Sequence, residues 1–260
     1  MKYIFKVLSL ILISNLFYAT AFADNVTVNL VVAYKYVNFN GRCAQAIAVN
    51  NQIPAPLLHF KQGDHVTINV YNHLNVGTSI HWHGLIVPWR MDGVANLTQP
   101  PIQPGGVYHY QFTLNQAGTY WYHAHDGMQE SQGLYGAIVI DPPKQIYKVN
   151  ADVPIVLSDW SNTNPDKIMA NLKKDGDFYD SAFPWQPSLM HFIQSYQAAK
   201  TPAEKQDLIS AYKMMQTMRM SIYDFSDVPF DAYLLNGHSN FCPWRGLIKV
   251  GDVVRLRFID

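Results

Sequence analysis

Between Asn25 and Asp141 the apolar residues fall on alternate positions in short runs, and that period restricts the possible folds more than any other feature. Val26, Val28, Leu30 and Val32 form one such set, Val66, Ile68 and Val70 a second, and Tyr108, Tyr110 and Phe112 a third. Ala137-Ile138-Val139-Ile140 closes the region before Asp141-Pro142-Pro143. A period of two puts alternate side chains on one face of a strand, so each run has an apolar face to bury. Turn residues such as Gly63-Asp64 recur between the runs, the pattern of an antiparallel sandwich or barrel. The 260 residues suffice for one large domain or two small ones. Apolar residues make up 48% and charged residues 15%, which argues against a disordered chain or a coiled coil. With 19 basic and 19 acidic side chains there is no electrostatic reason to expect nucleic acid as a partner.

Residues 1–23 read as a secretory signal peptide. Lys2 and Lys6 precede the apolar run Val7-Leu8-Ser9-Leu10-Ile11-Leu12-Ile13, and Ala21-Phe22-Ala23 places small residues where a signal peptidase reads them. The apolar run is too short for a membrane span, so no membrane partner is expected after cleavage before Asp24. No twin-Arg pair is present, which points to the general secretion route and to metal acquired outside the cytoplasm. Loss of Lys2 and Lys6 leaves 17 basic against 19 acidic residues. Outside the cytoplasm Cys43 and Cys242 could pair, but nothing in the sequence brings them together, and two free thiols are an equal reading.

Pro142-Pro143 marks a boundary, giving domains over 24–143 and 144–260. A new strand, Val153-Pro154-Ile155-Val156-Leu157, is followed by a helical insertion over about 164–222. Asn164-Pro165 can cap its first helix, Leu189, Phe192, Ile193 and Tyr196 have helical spacing, and Thr201-Pro202-Ala203-Glu204 is a capping box. In that last helix Leu208, Ala211, Tyr212, Met215 and Met218 form an apolar stripe. Strand patterns resume at Asp231. The stretch Leu247–Phe258, with Gly251-Asp252, then repeats His59–Val70, with Gly63-Asp64, while Asn236-Gly237 echoes Asn50-Asn51. An offset of about 188 residues is a duplication on the scale of a domain. The final strand, with Val254, Leu256 and Phe258 on one face, has no following partners before Asp260, so the second domain is expected to be incomplete here.

Two His-x-His pairs carry the chemistry. His81-Trp82-His83-Gly84 and His123-Ala124-His125 each lie on a strand pattern, after Ser79-Ile80 and Thr119-Tyr120-Trp121-Tyr122 respectively. On a strand, residues i and i+2 face the same side about 6.5–7 Å apart, which lets two imidazoles reach neighbouring ions. Four neutral imidazoles without a thiolate or close carboxylate favour Cu, Zn, Fe or Ni over Mg or Ca.

With Met91-Asp92-Gly93, Thr98-Gln99-Pro100-Pro101-Ile102-Gln103-Pro104-Gly105 and Gly118-Thr119-Tyr120-Trp121 between and before them, the two pairs resemble the multicopper oxidases in order and spacing. The remainder, including Leu157-Ser158-Asp159-Trp160 and the helical stretch, is similar to the copper-resistance branch of bacterial periplasmic oxidases. The resemblance implies a mainly β fold of cupredoxin-like Greek-key sandwiches in tandem, the second carrying the helical insertion. It implies a periplasmic enzyme that oxidises Cu(I) or phenols one electron at a time and reduces O2 to water at a trinuclear copper cluster. Carried over, His81 would bind the type 2 copper, His83 and His123 one type 3 copper, and His125 the other. Asp92 would be the acidic residue that delivers protons beside the cluster, although an Asp-Gly turn residue is an equal reading. Met214, Met215, Met218 and Met220 could bind Cu(I) through thioethers, but Met215 and Met218 also fit the packing stripe.

One departure from the family is large. A type 1 copper needs two His, a Cys and a weak axial ligand; the family's His-Cys-His block and its second His block are not found here, and Cys242, between Phe241 and Pro243, has no adjacent histidine. The chain therefore resembles the supplier of four cluster imidazoles without the site where electrons enter, and its turnover as an isolated enzyme stays open. A second reading is a copper-binding protein that uses the half-site as a chelator. A third is a cupin-like mononuclear metal enzyme, in which His123, His125 and Glu130 would be ligands, but this leaves His81 and His83 idle.

Overall fold

The computed structural model describes residues 24–174, 178–179, 189–217 and 228–260. Residues 1–23, read as a signal peptide, lie outside the described residues with Met218 and Met220, as does the side chain of Met215.

Two four-stranded sheets face each other across the first core. One has the order β2 (Cys43–Val49), β1 (Asn25–Asn38), β4 (His65–Asn72), β6 (Val107–Thr113). The other has the order β3 (Ala55–Lys61), β8 (Tyr135–Asp141), β7 (Gly118–Ala124), β5 (Ile80–His83). The pairs β1–β4 and β3–β8 are parallel and the rest antiparallel, as crossover connections between two sheets require. The alternating residues meet between the sheets: Leu30, Val32, Ile68 and Val70 from one, Leu58, Trp82, Tyr122 and Ile138 from the other. Trp82 fills the middle, edge-on to Tyr110 at 5.1 Å and fully buried.

A second sheet system repeats part of the first. Strand β9 (Ala151–Trp160) lies between β10 (Ala232–Leu235), antiparallel to it, and β11 (Val254–Ile259), parallel to it. The pairing of Leu157 with Leu235 reproduces that of Val32 with Val49. Asn50 and Asn236 both adopt positive φ, 48° and 50°, where the short amide side chain can bond locally. Asn50 Oδ1 accepts from Val31 N–H at 2.7 Å, and Asn236 Oδ1 accepts from Val156 N–H at 2.8 Å. The Gly-Asp turns also match, since Asp64 and Asp252 each accept a backbone N–H from three residues upstream at 2.8 Å. The matching turns thus sit in matching strand orders, β10-β9-β11 repeating β2-β1-β4.

Between β9 and β10 the chain inserts α1 (Pro165–Leu172), α2 (Leu189–Ala198) and α3 (Pro202–Thr217). Asn164 caps α1 by accepting Asp166 N–H at 2.8 Å. The expected capping box forms at α3, where Glu204 N–H reaches Thr201 Oγ1 and Thr201 N–H reaches Glu204 Oε2, both at 3.2 Å. Phe192 stacks on Tyr212 at 4.5 Å and joins α2 to α3. Of the stripe on α3, Leu208 and Tyr212 are half-buried, whereas Ala211 is exposed. Met214, off the stripe, is 64% exposed. Among the described residues no helix is long and apolar enough to cross a membrane.

Strand β8 reads as a continuous apolar run because both its faces are covered. Ile138 and Ile140 join the first core, while Tyr135 and Ala137 pack against Val156 and Ile259 of the second sheet. Arg257 fastens the same contact: Nε donates to Asp152 Oδ1 at 2.7 Å and Nη1 to Thr119 Oγ1, on β7, at 2.7 Å. The Arg257 hydrogen bonds, with Arg255 adding to them and burial opposing, hold the Asp152 carboxyl well below the usual carboxylate range. A depressed folded-state pKa contributes stability above the unfolded value of 3.8, lost as the pH falls through the folded pKa. Asp152→Asn is therefore expected to be less stable than the native chain at neutral pH, with the gap narrowing at about pH 3. Urea unfolding at both pH values checks this; equal gaps would remove the charge from the account.

Candidate metal centre

Strands β5 and β7 run antiparallel with His81 opposite His123, Trp82 opposite Tyr122 and His83 opposite Trp121. The two-residue period sorts the side chains. Ile80, Trp82, Tyr122 and Ala124 enter the first core, and His81, His83, Trp121 and His123 share the other face. Tyr110, buried in that core, accepts the Ile80 N–H through its hydroxyl at 3.2 Å and supports the start of β5. His125 follows the last residue of β7, and its N–H donates to the Ser79 carbonyl at 3.2 Å.

All four rings gather around His81. Its centroid lies 5.5 Å from those of His83 and His123 and 5.6 Å from that of His125. His81, His83 and His123 each offer a ring nitrogen within 4.8 Å of the others. His125 is a ring neighbour outside that tighter trio, 6.0 Å from His123.

Acceptors behind the rings determine which nitrogens face inward. His81 Nδ1 is 2.7 Å from the Asp92 carbonyl and 3.4 Å from the Asp92 carboxylate. His123 Nδ1 is 2.7 Å from Glu130 Oε2 and 2.9 Å from the Ala124 carbonyl. Carbonyls and carboxylates only accept, so both Nδ1 atoms carry hydrogen and the neutral rings keep Nε2 bare. Bare Nε2 of His123 lies 3.2 Å from Nδ1 of His83. Burial, and after it the neighbouring His123 and His81, push the His83 pKa down, favouring the neutral imidazole that a metal takes.

The Asp92 carbonyl reaches His81 because Gly93 lets its loop lie against β5. Gly93 has φ +86°, and a Cβ there would stand 1.7 Å from the Ile80 carbonyl oxygen. The nearer partner of His81 is thus the Asp92 backbone, with the carboxylate behind it. Trp121 stacks on His123 at 4.1 Å and 19°, and on His83 at 4.9 Å and 23°. It also touches the Tyr135–Ile259 cluster, so the second sheet borders the site. A cavity of about 570 Å3 lies at that border, lined by Trp121, Glu130, Tyr135, Val156, Asp159 and Ile259 among others.

The one sequence signal for Trp121 is its position two residues before His123 on the same strand. In the cupin-like pattern Glu130 is a metal ligand; in the structure its carboxylate touches His123 Nδ1, the ring nitrogen turned away from His83. Cys43 and Cys242 are both free and exposed. The donor set is all imidazole, with bare nitrogens converging, and this fits a borderline metal such as copper.

A mixed two-sheet sandwich with imidazoles on one outer face defines the class, a cupredoxin-like fold. Residues 31–145 match the family model described as Multicopper oxidase. The chain is 41% identical to copper resistance protein A of Pseudomonas syringae pv. tomato over 227 residues, 86% of this chain and 36% of that protein. It is 38% identical to copper resistance protein A of Escherichia coli over 235 residues, 89% of this chain and 38% of that protein. It thus spans little more than a third of the length of these relatives. Among solved structures, the blue copper oxidase from Nitrosomonas europaea superposes with a TM-score of 0.62 at 26% identity, over 91% of this chain and 60% of that one.

Proposed function

We propose that this chain supplies one half of a trinuclear copper cluster in a periplasmic copper-resistance oxidase. The observation that carries the reading is the convergence of ring nitrogens from His81, His83 and His123. The 3.2 Å between His83 Nδ1 and His123 Nε2 suits two donors on a single ion, and supports assigning one type 3 copper to this pair. His81 would hold the type 2 copper and His125 the second type 3 ion. When bound, copper supplies the one-electron steps that link oxidation of Cu(I) or a phenol to reduction of O2 to water. The residues orient and protect: Asp92 and Glu130 keep Nδ1–H turned outward, and Trp121 restrains two ring planes. The Asp92 carboxylate, 3.4 Å from His81, would pass protons to the cluster, a role that its nearness supports. Residues 24–143 would be the first cupredoxin domain and 144–260 the start of the second, exported with signal residues 1–23.

The test is a titration of the chain with Cu(II) against a competing chelator, followed by electron paramagnetic resonance. Nitrogen-ligated copper is expected, and His123→Ala should weaken it about 100-fold or more, beyond the 10–100-fold usual for an outer-shell change. Copper bound equally well by His123→Ala would sink the assignment.

A second reading, a copper chelator without turnover, is favoured by a specific observation. Among the described residues, the one group of three or more metal-capable side chains is the His81–His83–His123 trio, and neither cysteine joins it. Copper binding without oxygen consumption on adding Cu(I) or a phenol would select this reading for the isolated chain.

A further inference from the structure

We propose that Glu130 is a positioning residue of the copper centre, acting through His123. The inference rests on the copper-binding reading above and adds an outer-shell carboxylate to it.

Glu130 opens the short 3-10 turn Glu130–Gln132, in the loop that joins β7 to β8, and its Oε2 stands 2.7 Å from His123 Nδ1. The contact fixes the ring in two ways. It selects the tautomer with hydrogen on Nδ1, and it sets the angle at which bare Nε2 points toward His83. The negative charge also makes the imidazole a better donor to a metal.

The loop is built to keep this carboxylate in place. Gln129, 7% exposed, donates from Nε2 to the Gly77 carbonyl at 2.6 Å and accepts the Thr78 hydroxyl at 2.6 Å. Its carbonyl receives the Leu134 N–H at 3.2 Å. Gly133 ends the turn at φ +112°, and a Cβ there would lie 2.8 Å from the Ile47 carbonyl on β2. The segment before β5 and the strand β2 therefore hold Glu130 from both sides, and Trp121 stacks on the same ring that Glu130 orients.

The Ala124 carbonyl, 2.9 Å from the same Nδ1, is a weaker neutral substitute. This yields a graded expectation. In competitive Cu(II) titration of the full chain, Glu130→Ala should weaken binding about 10–100-fold, and Glu130→Gln, which keeps an oxygen acceptor, should recover part of the loss. Electron paramagnetic resonance should show the same number of nitrogen ligands in all three proteins. Thermal unfolding of the metal-free proteins should coincide, because the carboxylate is half exposed. Native affinity in Glu130→Ala would overturn the positioning role and leave the copper site standing. Loss of an oxygen ligand from the spectrum would overturn it too, in favour of direct coordination. Failure of the native chain to bind Cu(II) would overturn both readings.

Discussion

Alanine at position 93 is expected to destabilise the first sandwich by about 3 kcal/mol or more, and to weaken copper binding in the molecules that still fold. Two penalties add. A Cβ at φ +86° costs about 1–2 kcal/mol wherever it occurs. Here it would also stand 1.7 Å from the Ile80 carbonyl oxygen, a contact no side-chain movement can relieve, because the neighbour is backbone. The loop must withdraw from β5, carrying the Asp92 carbonyl away from His81. Gly105→Ala is the control: φ is +74° and nothing lies within 4 Å of its Cβ, so only the first penalty applies. Urea unfolding of the metal-free proteins separates the two. Equal losses at 93 and 105 would show that the loop does not press on β5.

Trp82 should carry the largest packing effect. The indole points to the face opposite the two flanking histidines, where it is fully buried and packs against Tyr110, Phe112 and Tyr122. Trp82→Ala removes that volume from a close-packed core and should cost about 3–5 kcal/mol. Trp82→Phe should cost only about 1–2 kcal/mol, since the indole Nε1–H has no hydrogen-bond partner to lose. The same variants should differ at the metal site, because residue 82 anchors the strand from which His81 and His83 project. Chemical unfolding gives the stabilities and Cu(II) titration the affinities. A loss under about 1 kcal/mol for Trp82→Ala would place the indole outside the core.

Both expectations concern residues that flank the histidine pairs in sequence, yet the chain shows them unevenly. His81-Trp82-His83 on a strand pattern announces two faces, so the imidazoles on one side and the indole on the other are legible from a period of two. Gly93 is not legible in that way. Met91-Asp92-Gly93 reads as a turn, and its pressure on β5 exists only once the loop folds back over Ile80. Glu130 is a similar case, because it stands seven positions after His123 across a loop, and the direction of that loop depends on Gln129 docking at Gly77 and Thr78.

The second half shows the same division. Asn50 and Asn236, with the two Gly-Asp turns, mark a repeated architecture because these local conformations demand particular side chains. Strand β8 shows a run buried on both faces but does not say by what. Val156 and Ile259 supply the second cover, through a contact between residues more than a hundred positions apart.

The sequence alone determined the strand period, the helix caps, the duplicated turns and the four imidazoles of a copper family. These follow from backbone geometry acting over a few residues. The tertiary structure decided which ring nitrogens face one another, which carbonyl and carboxylate hold them, and which sheet borders the site. Those properties depend on distances between segments far apart in the chain, set by closing the two sheets over one core and packing a third against them.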